Sequence, residues 1–309
     1  MTLKKGNKEI LRLSDDVRKS LKAAYAKEDL KAVNAILIDF MEDCDKLEKI
    51  PAKYSDFRNY NYLTVSFGNS KLSKGFITLN VGTGLFCPMD ILGNCGNCLI
   101  CYAKAGNRRH FKNTVPKNCV NQIVINRVLL GEITLHEVLY NTIYNIMDDM
   151  SETAINNMSE VFADLRIDVE SDILNNDILY LIDDIAKVFI DVFNLETAYS
   201  YTHNKGLDLK AVRNINFNTS DWTKKGFNQF KAVDRLTFEL RQEVIKGNIY
   251  LCLGNCSNCK YCKINHGKTI IVLKHGYGYP GVSDEEKIFY SYIASDMTDC
   301  RPIGTIGSV

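Results

Sequence analysis

With 309 residues, 46% of them hydrophobic and 24% charged, the chain has the composition of an ordered globular protein of one large or two ordinary domains. A formal charge of +1 argues against a strongly electrostatic nucleic-acid binder, and no uninterrupted apolar run is long enough to cross a bilayer. The basic segment Met1–Glu9 lacks the apolar stretch of a secretory signal, so a reducing cytoplasm is expected, where dense cysteines read as metal ligands or catalytic groups.

In chain order, residues 1–58 read as a helical extension. Ser14 is a plausible N-cap with Asp15 and Asp16 in the first turn, and Leu30, Val33, Leu37, Phe40, Met41 and Cys44 recur at helical spacing. Cys44 on that stripe reads as core. An α/β core is expected over 59–290, opening with a strand at 76–81 and followed by a helix over 134–150. A strand at 161–169, a helix ending near 193 and a strand at 197–202 then make a βαβ unit, which is parallel and right-handed. Further strands are expected at 212–219, 248–252 and 269–274. The stretch 222–247 is ambiguous, with a helix expected over 232–244, and 291–309 reads as a tail. The fold expected is an incomplete parallel (β/α) barrel-like sheet carrying two cysteine-rich metal loops.

Eight of the eleven cysteines fall in two groups, Cys87, Cys95, Cys98, Cys101 and Cys252, Cys256, Cys259, Cys262. A two-residue gap lets a tight turn aim both sulfurs at one centre. Zinc satisfies such ligation. Iron–sulfur is preferred on two details: the run Cys256, Cys259, Cys262 is of ferredoxin type, and Cys252, Cys256, Cys259 have the C-x3-C-x2-C spacing of radical-SAM enzymes, which bind S-adenosylmethionine at an open iron. That radical-SAM motif normally follows the first barrel strand, the position held here by the Cys87 group, whose own spacing is not that of the motif.

In parallel α/β sheets, functional groups collect where strands end. The expected strand ends bear the first cysteine group, then Asp168 to Asp172, then Thr202, His203 and Lys205, then Ser220 and Asp221, then the second cysteine group. Arg166, Asp168, Asp172, Thr202, Lys205 and Asp221 are the candidate cavity residues. Blander readings stand beside them: Asp172 as a helix cap, His203 as a hydrogen-bonded loop residue, Arg166–Asp168 as an internal pair. Arg108, Arg109, His110 and Phe111 read as a surface run or a phosphate contact.

The chain also resembles the phage-associated family called gene product 88. The resemblance rests on Gly68–Asn69–Ser70–Lys71–Leu72, Cys87–Pro88, Cys101–Tyr102–Ala103, Arg166 through Ser171–Asp172, Tyr201–Thr202, Ser220–Asp221 and Ile270 to His275, and it covers 65–276. Asp168 stands where His or Asn is expected, and Ser171 where Gly is usual. The resemblance implies a metal- or cluster-binding, partly barrel-like phage or prophage protein in the bacterial cytoplasm. Together these readings point to a 4Fe-4S protein acting on a nucleotide or nucleic acid, with a zinc-stabilised binding module as the alternative. The electron donor and the oligomeric state are left open.

Overall fold

The computed structural model describes residues 13–46, 54, 56–67, 75–95, 111–150, 162–167, 171–253, 259, 261–273 and 283–296. Its centre is an open eight-stranded sheet in the order β1-β2-β3-β4-β5-β6-β8-β7. The strands are β1 (Ser66–Phe67), β2 (Phe76–Leu79), β3 (Asp164–Ile167), β4 (Thr197–Thr202), β5 (Ile215–Ser220), β6 (Asn228–Val233), β7 (Ile249–Leu251) and β8 (Thr269–Leu273). Among the described residues only β1–β2 is antiparallel; every other pairing is parallel. The helices are α1 (Asp15–Ala26), α2 (Leu30–Lys46), α3 (Pro88–Leu92), α4 (Phe111–Leu129), α5 (Leu135–Asp148), α6 (Asn176–Phe193), α7 (Phe238–Ile245) and α8 (Asp284–Asp296). Among the described residues no helix is long and apolar enough to cross a membrane.

The two faces of the sheet differ in chemistry. Ile77, Leu79, Leu165, Ile167, Ala198, Ile215 and Phe217 share one buried cluster with Val120, Val124, Ile182, Ile185 and Phe189 from the helices. At the β7 edge a second cluster joins Leu251, Ile271 and Leu273 to Val244, Tyr290 and Ile293. Strand registers put Phe76, Asp164, Arg166, Tyr199, Tyr201, Asn216, Asn218, Asn228 and Phe230 on the opposite, aromatic and polar face.

Local rules account for much of this. Ser14 caps α1 by accepting from Val17 N, and Thr134 caps α5 by accepting from Glu137 N. The N-terminal helices share the main core: Leu21, Tyr25, Val33, Leu37 and Met41 are buried in it. The side chain of Cys44 lies outside the described residues.

Several expectations need correction. The stretch expected to be helical over 232–244 begins as strand β6 and turns helical only at Phe238. Its pattern misleads because Asn228 and Phe230 face the polar side of the sheet. Helix α4 has no counterpart in the sequence reading. Its polar residues Asn118, Asn121, Gln122 and Asn126 are buried alongside the apolar ones, which erases the amphipathic period. Helix α8 crosses residue 290, where a tail was expected to begin, and Tyr290 and Ile293 anchor it in the second cluster.

Candidate functional site

The loop after β2 carries the first cysteines. Phe86 N donates to Thr83 O, and Cys87 precedes the single turn α3, which ends in left-handed Gly93 with φ +79°. Cys95 N then donates to Met89 O at 3.2 Å. Helix α1 holds this loop from outside. Tyr25 Oη donates to Phe86 O at 2.7 Å, while Arg18 donates to Asp90 Oδ2 and Asp90 O, each at 3.0 Å. Burial, offset in part by a hydrogen bond to Gln122, raises the Tyr25 phenol well above its ordinary range, and Cys87 adds to that shift. Tyr25 is therefore a neutral donor in the loop's support.

Beside this loop stand the ends of β3, β4 and β5. Asp172 does not cap a helix: the N-cap of α6 is Asn175, whose side chain accepts from Ile178 N. Asp172 Oδ1 instead accepts from Ile173 N at 2.9 Å and Thr202 Oγ1 at 2.7 Å, and Oδ2 from His203 N at 2.6 Å. These bonds tie the end of β3 to the end of β4. His203 lies between two carboxylates, with Nδ1 3.7 Å from Asp172 Oδ2 and Nε2 3.6 Å from Asp221 Oδ2. Those separations are ion-pair contacts, too long for hydrogen bonds of ordinary geometry. Burial alone would lower the imidazole pKa; Asp172 and then Asp221 more than offset it, Cys95 adds a further push, and the result is about 10. His203 is thus an imidazolium at neutral pH. Asp221 adopts φ +63°, a left-handed conformation that Asp tolerates better than most residues, with its N–H bonded to Phe230 O.

Thr202 is buried and committed to Asp172, whereas Lys205 lies exposed on the same loop. On the polar face the Arg166 guanidinium sits 5.4 Å from the Tyr201 ring centroid and 6.0 Å from that of Tyr199. Tyr201 makes an edge contact with Phe230 at 4.9 Å, and Tyr199 one with Phe76 at 6.3 Å. A separate cavity of about 20 Å³, room for one water, lies behind the Asp172 loop against Tyr25, Val33 and Gln122. Gln122 Oε1 is buried there without a hydrogen-bond partner.

The described residues of the second cysteine group lie only in part where they were expected. Cys252 sits just past β7 and donates its N–H to Ile271 O, at the same sheet end as the first group. The chain around Cys262, however, lies across the polar face toward the strand starts. Cys262 packs against the buried pair Phe76 and Tyr199, as Tyr201 does. Next to it, Lys263 Nζ donates to Asp164 Oδ2 at 2.5 Å, both side chains almost fully buried. Asn216, Asn218 and Asn228 donate into the carbonyls of this segment. The spacing of Asn216 and Asn218 in Ile215–Ser220, an amide at alternate strand positions, is the signal that sequence reading passed over.

Cys87, Cys95, Cys252, Cys259 and Cys262 are all of intermediate exposure. Among the described residues no three His, Cys, Asp or Glu side chains converge on a metal position. Cys98, Cys101, Cys256, Asp168 and the basic run at 108–110 lie outside the described residues, as does the Phe111 side chain. The donors that are described fit a soft-metal centre in kind: partly exposed thiols outside the helices and strands, unlike Cys119, which is buried in α4. Fold and site together define an α/β protein with a mostly parallel open sheet and a cysteine loop beside a carboxylate-bracketed histidine. Compared with protein-family models, curated proteins and solved structures, the chain matches none.

Proposed function

We propose that the chain is an iron–sulfur protein of phage or prophage origin that modifies a nucleotide or nucleic acid by redox or radical-SAM-like chemistry. One observation carries the reading. The loop bearing Cys87 and Cys95 follows the first parallel strand, and Asp172, His203 and Asp221 stand on the next strand ends. The sequential parallel order from β2 to β6 supports reading the open sheet as an incomplete (β/α) barrel, a fold in which such ends form the reactive mouth. Cys87, Cys95, Cys98 and Cys101 would hold one cluster, and Cys252, Cys256, Cys259 and Cys262 a second centre. A bound cluster supplies one-electron chemistry, with S-adenosylmethionine as its co-reactant in the radical-SAM-like form. The chain's own residues bind and orient. Tyr201 and Phe230 offer ring faces to a base, Arg166 a planar cation, and Asp172 and Asp221 flank the His203 imidazolium. The motif order resembling the gene product 88 family supports the phage assignment.

The test is metal and sulfide analysis of anaerobically purified chain, with its visible spectrum. Brown protein carrying iron and acid-labile sulfide is expected; colourless protein carrying only zinc overturns the proposal. A zinc-stapled interaction module is the second reading, favoured by the way the second cysteine segment is anchored as a structural floor. Salt-dependent nucleic-acid binding by iron-free protein distinguishes it.

A further inference from the structure

Four consecutive backbone carbonyls of the second cysteine segment accept hydrogen bonds from asparagines of the sheet. Asn228 Nδ2 donates to Tyr261 O at 3.0 Å and to Ile264 O at 2.8 Å. Asn218 Nδ2 donates to Cys262 O at 2.8 Å, and Asn216 Nδ2 to Lys263 O at 2.5 Å. Asn228 Oδ1 takes the His266 N–H at 2.8 Å, and Asn228 Nδ2 also reaches Asn218 Oδ1 at 3.1 Å. Asn218 and Asn228 are fully buried. Buried amides are costly unless their hydrogen bonds are made, and the backbone of an irregular segment has the same need. Each requirement here is met by the other. The Lys263–Asp164 pair adds a charged anchor at the start of β3, and the ammonium also lies 4.8 Å from the Phe76 ring centroid.

Small cysteine loops ordinarily take their shape from the metal they bind. We infer that Asn216, Asn218, Asn228 and the Lys263–Asp164 pair form a preformed seat that fixes the backbone of Tyr261, Cys262, Lys263 and Ile264, and with it the last thiol of the second cysteine group, on the sheet before any metal binds. These are positioning residues: they touch carbonyls and not sulfurs. The seat's purpose rests on the reading of Cys252 to Cys262 as a metal centre, while its existence does not.

The experiment uses the full chain stripped of metal by chelation. Alkylation of Cys262 by iodoacetamide is followed by mass spectrometry, natively and in denaturant, for wild type, Asn218→Ala and Asn216→Ala. Circular-dichroism melts confirm that each variant folds. In metal-free wild type, Cys262 is expected to react at least about tenfold slower than in denaturant, since the half-buried thiol is held against Phe76 and Tyr199 and full access needs local opening. Asn218→Ala should remove most of that protection while the melt stays cooperative. The half-buried Asn216 provides the same reading if Asn218→Ala fails to fold. After reconstitution, both variants should retain less metal than wild type. Native Cys262 reacting at the denatured rate, or staying protected in both variants, overturns the seat. Wild type that takes up no metal yet keeps Cys262 protected refutes the metal centre and leaves the seat standing.

Discussion

At His203, two carboxylates decide the charge against the pull of burial. The imidazole C2 proton, followed by NMR, should titrate with a midpoint at about 10. Asp221→Asn and Asp172→Asn should each bring the midpoint down, Asp172→Asn by more. A wild-type midpoint near the unperturbed value of about 6.5 would show that the bracket is not formed in solution. Because the folded pKa lies above the unfolded one, the stabilisation is complete below about pH 6.5 and is lost as pH rises toward 10. The melting temperature of wild type should therefore fall over that window more steeply than that of His203→Gln. Gly82 is a second decisive residue. A Cβ placed on it would lie 2.7 Å from Ser171 Oγ and 3.0 Å from Ser171 Cβ, so the loops after β2 and β3 meet closely there. Gly82→Ala should cost about 1–3 kcal/mol by overpacking. Ser171→Gly should recover part of it, and chemical denaturation of the four-member mutant cycle measures the coupling.

Among the elements, α6 was the plainest in the sequence and α4 the most hidden. Helix α6 presents an apolar stripe and a cap, and Ile178, Leu181, Ile182, Ile185 and Phe189 are all buried as their spacing implies. Asn175→Ala should lower stability by about 1 kcal/mol, read from the urea midpoint, because it deprives Ile178 N of its acceptor. Helix α4 is surrounded on several sides. Asn121 bonds to Thr64 and Asn80, Asn126 to Asn34, and Gln122 to Tyr25, so its polar side chains connect buried neighbours. Hydrophobic periodicity reports a boundary between core and water, and a helix lacking that boundary is silent to it. Strand β6 was missed for a related reason, since its Asn228 is satisfied by a distant segment.

For the whole molecule, the Lys263–Asp164 pair links residues 99 apart in sequence and closes the strand starts against the second cysteine segment. Removing one partner strands the other in the core, so Asp164→Ala should cost about 3–5 kcal/mol in denaturant unfolding. An Asp164→Leu, Lys263→Met double variant should regain much of that loss, because a well-packed apolar pair of similar volume escapes the desolvation penalty. Equal destabilisation by single and double variants would mean that packing, and not the unpaired charge, sets the cost. The N-terminal helices belong to the same scale. Through Arg18–Asp90 and Tyr25–Phe86 they brace the loop that carries Cys87 and Cys95.

The sequence by itself determined the class of fold. Residue periodicity placed β2, β3, α6, β4 and β5 in order, and a strand–helix–strand run with short connections has one favoured handedness. It also marked out the two cysteine groups, because spacing along the chain is a local property, though not where the second group lies on the sheet. The tertiary structure alone decided which strand-end groups meet. Asp172 could be read as a cap until its carboxylate was seen to hold Thr202 and the His203 backbone, some 30 residues away. Likewise, the three asparagines acquire meaning only when the chain returns to lay four carbonyls over them. Buried polar groups choose partners by distance in space, and one-dimensional spacing does not record that distance.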